Sequence, residues 1–276
     1  MSWTVSEQNS HPKKLASLGE DRHLVRDAVD LAAVVDGATD KSRRTYRGQT
    51  GGALAADTVI NTLTYIDANE SPHTIIDTVV QSLASMRQEM GIGDHDAVAP
   101  SASAAIALLD RNQIVRVGDV HIAYHSNKGW RTMLGSKRID SLHAEIRSEV
   151  LKYHLDQGYS IEYLMRNDVG RDAIKSSLAA QGYYANREGS LGYGVLDGRP
   201  VPNAFIEVID LPVDADTIVL ATDGYLRPTP TCAQAEAELK SDLERDPLRI
   251  GRFKGTKAGT PETPYPDDRL FLSLAC

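Results

Sequence analysis

Apolar and polar positions along this chain switch between a period of two and a period near 3.6, and the switches mark its elements. Trp3 to Val5, and Leu15 to Val25 around a polar centre, read as short β-like runs. Leu31-Ala32-Ala33-Val34-Val35 is a brief continuous apolar run stopped by Asp36-Gly37, the mark of a buried strand entering a turn. The basic, polar stretch Lys41 to Gly48 reads as a loop. Helical spacing follows: Ala56, Val59, Ile60, Leu63 and Ile66 share one face, and Ile76, Val79, Val80, Leu83, Met86 and Met90 share another. Ser71-Pro72 sits where an N-cap and a first-turn proline belong.

Ser103 to Leu109, Gln113 to Val117 and Val120 to Tyr124 return to short β-like runs with turn residues between them, which predicts an antiparallel meander. Leu142, Ile146 and Val150 mark another helix, and Ile161 to Gln181 reads as helical with a break near Gly170. Phe205 to Ile209 and Thr217 to Ala221 read as strands, Cys232 to Leu243 as a helix ending before Asp246-Pro247, and Leu270 to Leu274 as a last strand. This order is not the regular βαβ alternation of a parallel doubly wound sheet. It predicts an α+β fold in which two antiparallel sheets pack back to back as a sandwich flanked by α-helices.

Length, composition and charge narrow the class. The 276 residues, 41% hydrophobic and 25% charged, suit one large domain, 1–276, with a sizeable core. The net charge of −8 disfavours a nucleic-acid partner, which needs a concentrated cationic face. Cys232 and Cys276 form no Cys-x-x-Cys pair, so neither a disulfide framework nor a thiolate zinc site is indicated, and a reducing cytoplasm is expected. Met1 to Ser10 lacks the apolar core of a signal peptide, and no run approaches the ~18 apolar residues of a membrane helix. The sequence is silent on oligomeric state. Gly255 to Pro266 reads as a surface loop.

Candidate chemistry lies in a repeated design, an apolar strand with a carboxylate at its end: Leu31 to Val35 entering Asp36-Gly37, Ile218 to Ala221 leading to Asp223-Gly224, and Asp267-Asp268 before Leu270 to Leu274. Strand ends are rigid, so carboxylates there hold a metal with little movement. One Asp-Gly alone is usually a plain turn, and Asp197-Gly198 is read as one.

In order, these motifs resemble the type 2C family of metal-dependent serine/threonine protein phosphatases. Gly19-Glu20-Asp21 resembles that family's first acidic motif, Val34-Val35-Asp36-Gly37 its metal-bridging Asp-Gly, and Gly51-Gly52-Ala53-Leu54-Ala55-Ala56 the start of its next helix. Ser101-Ala102-Ser103-Ala104, Val117-Gly118-Asp119 and Leu220-Ala221-Thr222-Asp223-Gly224 resemble later motifs, and Asp267-Asp268 stands where the family has Asp-Asn. The match covers residues 15 to 275. It implies a helix-flanked β-sandwich with two Mn²⁺ or Mg²⁺ ions, or three, at one end. By that resemblance Asp36 bridges two ions, the Gly37 carbonyl completes one shell, and Asp223 and Asp267 hold the other ion. Glu20 and Asp21 act through water or behind the ligands, Asp119 belongs to a third site, and Asp268 lies beside Asp267. Hard divalent ions prefer such oxygen donors. The implied reaction is hydrolysis of phosphate monoesters by a two-metal-activated water, with Asp36, Asp223 and Asp267 central to catalysis.

Two positions depart from the pattern. Ala16 stands where the family often has a phosphate-gripping arginine, leaving Lys13, Lys14, Arg22, Arg43 and Arg44 as unassigned substitutes. Ala38 stands where many members have a histidine, leaving His23, Lys41 or a metal-bound water as candidate acids. Trp130 to Arg199 falls where the family inserts a variable flap. The expected substrate is a phosphorylated protein, with a phosphorylated small molecule and a catalytically inert module that binds a phosphoprotein or partner as alternatives. A haloacid-dehalogenase-like phosphotransferase is disfavoured because Ala38 fills the slot of its second carboxylate.

Overall fold

Alternation of side-chain direction along the strands sorts the apolar residues into cores on either side of two sheets. The structure, a computed structural model, describes residues 2–13, 19–38, 44–93 and 99–276. Its strands and helices run β1 (Thr4–His11), β2 (Arg22–Val25), β3 (Leu31–Gly37), β4 (Thr45–Tyr46), β5 (Gln49–Thr50), α1 (Gly51–Tyr65), α2 (Pro72–Glu89), β6 (Ala102–Leu108), β7 (Gln113–Val117), β8 (His121–Ser126) and β9 (Gly129–Met133). There follow α3 (Arg138–Asp156), α4 (Ile161–Arg166), α5 (Val169–Ala180), β10 (Glu207–Asp210), β11 (Thr217–Ala221), α6 (Cys232–Arg245) and β12 (Arg269–Ala275).

One sheet has the order β1-β12-β11-β8-β9 and the other β10-β7-β6-β3-β2, and all their pairings are antiparallel. In β3, Leu31, Ala33 and Val35 face α1 and α2, while Ala32 and Val34 face the opposite sheet. In β12, Leu270, Leu272 and Leu274 face inward, and Phe271 packs outward against Leu239 and Leu243 of α6. The expected α+β sandwich with helices on its outer faces is therefore present. Ser71 caps α2 through Thr74 N, with Pro72 as its first residue, as predicted.

Several expectations need correction. β6 and β7 form the hairpin, but β8 crosses to the other sheet, so the three runs are not one meander. Gly118, at φ +91°, turns the chain between the sheets. Part of the expected 41–48 loop lies outside the described residues, and Thr45–Thr50 forms the small β4–β5 hairpin. The strand expected over Phe205 to Ile209 starts at Glu207, after a 3₁₀ turn Asn203–Phe205. The helical break expected near Gly170 is present at Asn167-Asp168, where Asp168 caps α5. Gly170 is a packing residue: a Cβ there would stand 2.6 Å from the Arg147 carbonyl of α3. In α3 the helix was legible but its face was not. Leu142 and Ile146 are exposed, and the helix instead buries Ile139, His143, Ala144, Arg147, Ser148 and Leu151.

Arg147 is fully buried and joins α3, α5 and the segment after α6. Its Nε donates to Asp168 Oδ2 at 2.9 Å, and its Nη2 lies 2.8 Å from the same oxygen as an ion pair. Its Nη1 donates to the carbonyls of Leu248 at 2.9 Å and Gly255 at 3.0 Å. Arg171 Nη1 adds a bond to the Thr256 carbonyl at 2.6 Å. Removing a buried cation strands its partners. Arg147→Met is therefore expected to lower stability by ~3–5 kcal/mol in urea unfolding monitored by circular dichroism. Arg147→Lys should recover little of this, because one ammonium cannot span the carboxylate and both carbonyls.

Candidate active site

The carboxylates collect at one end of the sandwich because β3 and β11 finish there and β12 and the β7–β8 turn begin there. Asp36 continues the inward row of Ala32 and Val34 past the last core residue. Asp36, Asp119, Asp223 and Asp267 line one cleft together with Gly37, Ser103 and Lys137. Backbone closeness fixes the end of β3: a Cβ on Gly37 would stand 2.5 Å from the Gly52 carbonyl oxygen and 2.6 Å from that of Glu20. Only hydrogen at both glycines lets α1 start against the strand end. On the other sheet, a Cβ on Gly224 would stand 2.0 Å from the Asp268 carbonyl oxygen, so the Asp223 and Asp267 segments are pressed together.

Around this group, polar side chains are held in pairs. Thr50 caps α1 by accepting from Ala53 N and donates its hydroxyl to Glu20 Oε1 at 2.6 Å. Thr222 donates to Asp21 Oδ2 at 2.8 Å and accepts from Leu270 N at 2.9 Å. Asp268 accepts from the backbone N–H groups of Lys13 at 2.7 Å and Glu20 at 2.9 Å, so its carboxylate joins the amino-terminal segment to β12. Lys13 Nζ lies 3.2 Å from Glu20 and 3.6 Å from both Asp267 and Asp268. His121 is buried; its Nδ1 accepts from Gly135 N at 3.0 Å, and burial lowers its pKa to about 4, keeping it a neutral brace.

The four cleft carboxylates divide into two kinds. Asp119 accepts from Ser103 Oγ at 2.6 Å and Lys137 Nζ at 2.8 Å. Burial works to raise its pKa, but Lys137 and these hydrogen bonds outweigh it and hold the group below the usual carboxylate range. Asp267 lies 2.5 Å from Lys257 Nζ; burial is again outweighed, here by Lys257 and Lys13. Asp36 and Asp223 have no hydrogen-bond donor among the described residues. Burial raises Asp36 well above the usual value, and Asp223, Asp21, Asp119 and Asp267 push it further. Asp223 opens to the cleft but is enclosed by protein on its other sides, and loss of solvation with repulsion from Asp119 and Asp267 raises it to about 7. Asp21 is raised by burial as well, against the pull of Thr222.

This donor set fits hard divalent cations in chemistry and in electrostatics: oxygen donors, mutual repulsion, and two carboxylates with no ion-pair partner among the described residues. As placed, no three His, Cys, Asp or Glu side chains among the described residues converge as a closed metal cage. Lysines supply the countercharge at Asp119 and Asp267.

Lys137 and Lys257 were missed from the sequence. Lys257 lies in the stretch read as a surface loop, and lone lysines carry no motif. Of the earlier candidate cations, Arg22 is paired with Asp57 at 2.6 Å, and Arg44 is exposed. Ala16, Lys14, Lys41 and Arg43 lie outside the described residues. His23 sits half-buried in β2, with burial lowering its pKa. Asp197 is buried and bonded to Asn186 and Arg199 beside the left-handed Gly198, as a turn aspartate.

No family model and no curated protein matches the chain at the level of sequence. Solved structures match it in fold. The serine/threonine phosphatase PstP/Ppp of Mycobacterium tuberculosis aligns with a TM-score of 0.53 at 14% identity, over 100% of this chain and 99% of that one. The catalytic domain of serine/threonine protein phosphatase PstP, in complex with two manganese ions, aligns with a TM-score of 0.52 at 14% identity over 99% and 97%. Stp1 from Staphylococcus aureus aligns with a TM-score of 0.52 at 11% identity over 99% and 95%. The chain thus has the fold of these bacterial type 2C phosphatases over its whole length, as the motif order led us to expect.

The charge pattern has a consequence for stability. Asp223 has a folded-state pKa of about 7 against an ordinary 3.8, so between those values the native state binds more protons than the unfolded state. Its contribution therefore turns against folding as pH rises from about 4 to about 7. In chelator-treated protein, Asp223→Asn should raise the melting temperature at pH 8 by ~2–4 °C, on the order of 1 kcal/mol after discounting for solvent screening. The gain should vanish near pH 4; scanning calorimetry at both pH values checks it.

Proposed function

We propose that this protein is a metal-dependent phosphatase that hydrolyses phosphate monoesters at the carboxylate cleft, with phosphoserine and phosphothreonine of proteins as substrates. The observation that carries the reading is the gathering of Asp36, Asp119, Asp223 and Asp267 in one cleft, with Asp36 and Asp223 making no side-chain hydrogen bond or ion pair among the described residues. Such a cluster is costly to build unless cations or a reaction use it.

Asp36 and the Gly37 carbonyl, with Asp223 and Asp267, would hold two Mn²⁺ or Mg²⁺ ions, and Asp119 would serve a third. Bound there, the ions would lower the pKa of a water nucleophile and neutralise the phosphoryl oxygens. The chain's own residues keep the donors in place. Thr50 orients Glu20, Thr222 orients Asp21, and Asp268 fastens the amino-terminal segment beside Asp267. Lys137 and Lys257 balance part of the charge when ions are absent. No nucleic acid or membrane partner enters this reading, and no helix is long and apolar enough to cross a membrane.

A second reading has one observation in its favour. Because lysines pair with Asp119 and Asp267, the cleft is partly neutralised from within, as suits an inert module that binds a phosphorylated partner. Chromogenic phosphate-ester hydrolysis decides between them. We expect Mn²⁺-dependent turnover that falls by at least ~10²-fold in Asp36→Ala and in Asp223→Ala, the scale of losing one electrostatic stabiliser. Mn²⁺ should also raise the melting temperature of the unaltered protein more at pH 8 than at pH 5.5, and Asp223→Asn should forfeit most of that gain. Metal binding without turnover on esters or phosphopeptides would favour the module.

A further inference from the structure

Beside the carboxylate cleft lies a recess lined by four cations, Lys137, Arg249, Lys254 and Lys257, and by the carboxylates Asp119, Asp140, Asp223 and Asp267. Three of the four already hold a carboxylate: Lys137 that of Asp119, Lys257 that of Asp267, and Lys254 that of Glu145 at 2.5 Å. Arg249 does not. Among the described residues no carboxylate lies within ion-pair distance of it, and its side chain makes one hydrogen bond, Nε to the Phe253 carbonyl at 3.4 Å. Neither terminal NH₂ group makes a hydrogen bond among the described residues, and Asp223, Asp267 and Asp242 act on the guanidinium only at a distance.

The position is built, not incidental. Arg249 has a left-handed backbone, φ +52°, which a residue with a Cβ rarely adopts. The surrounding bonds impose it: Arg249 N donates to the Asp246 carbonyl at 3.0 Å, Gly255 N donates to the Arg249 carbonyl at 3.1 Å, and buried Arg147 clamps the carbonyls of Leu248 and Gly255. The guanidinium lies over Gly255, where a Cβ would stand 3.2 Å from Nε and 3.3 Å from Cζ. A desolvated guanidinium cannot shed its proton, so an oxyanion is its best partner, and its planar fork matches two oxygens of a phosphoryl group.

We propose that Arg249 binds the phosphoryl group at this site, reaching from the loop after α6 toward the metal-side carboxylates. A phosphate dianion approaching Asp36 and Asp223 meets repulsion, and Arg249 is the cation of the recess that can answer it without first breaking an ion pair. The inference rests on the phosphatase reading and adds the residue that holds the anion.

Inorganic phosphate is the probe, titrated calorimetrically into the Mg²⁺-loaded protein, with chromogenic-ester turnover measured in parallel. Losing a charge-assisted fork should weaken phosphate binding about 10–100-fold in Arg249→Ala. Arg249→Lys should recover part of it, and Mg²⁺ affinity should stay within about twofold in both. Unchanged phosphate affinity in Arg249→Ala overturns the inference while turnover in the unaltered protein upholds the phosphatase reading. Phosphate affinity lost in Arg249→Ala without turnover in the unaltered protein upholds the inference and overturns that reading. A parallel fall in Mg²⁺ affinity, or no phosphate binding by the unaltered protein, also overturns the inference. Should the alanine variant lose its native circular dichroism, the lysine variant decides by the same criterion.

Discussion

Mutual repulsion among aspartates is the constraint around which this molecule is arranged. Two carboxylates ~5 Å apart at an effective dielectric of about 20 repel by roughly 3 kcal/mol, and here Asp21, Asp36, Asp119, Asp223 and Asp267 all raise or feel one another's charge. Only a stiff frame can hold them together. The frame is the inner core between the sheets, where Val34, Leu220 and Leu270 are fully buried immediately inside the charged end. Close backbone packing at Gly37, Gly52 and Gly224 prevents the strand ends from splaying under that repulsion.

The relief of charge is uneven. Asp119 and Asp267 pair directly with lysines, whereas Asp36 and Asp223 have no ion-pair partner among the described residues and their pKa values are raised. The lysines come from outside the strands: Lys137 precedes α3, Lys257 follows the loop clamped by Arg147, and Lys13, just after β1, also faces Asp267. The sandwich therefore contributes the negative groups, and segments outside its strands contribute the positive ones. A small change in an appended segment can alter the anion or cation balance of the cleft without touching the core.

Much of this was legible in the sequence, for physical reasons. Strands β3, β11 and β12 announce themselves because buried strands are continuous apolar runs, and their terminal aspartates are visible against them. Helix α2 is legible because its cap and proline act locally. What escaped depends on contacts distant in the chain. The face of α3 was misassigned because its interior is occupied by Arg147, His143 and Ser148, polar residues that pattern reading places outside, while Leu142 and Ile146 remain exposed. Gly170 looked like a helix breaker because its reason, the approach of α3, is tertiary. Lys137, Arg249 and Lys257 escaped because a cation gains meaning only from what it faces.

That division bears on how selectivity can be tuned. Lys137, just before α3, reaches Asp119, and ten residues later Arg147 of α3 fixes the loop that carries Arg249 and Lys257. At 1.5 Å per residue, this stretch of one helix spans about 15 Å and sets the position of cations that line one recess. Its outer surface, with Leu142 and Ile146 exposed, is free to vary without disturbing the clamp. A tilt of α3 would move Lys137 relative to Asp119 and shift the Arg249 loop together, since both are tied to the same rigid rod. The strand-borne carboxylates would stay fixed while the cationic recess changed shape. Within this architecture, a change in the cationic recess is reached most directly through α3 and its two tethers.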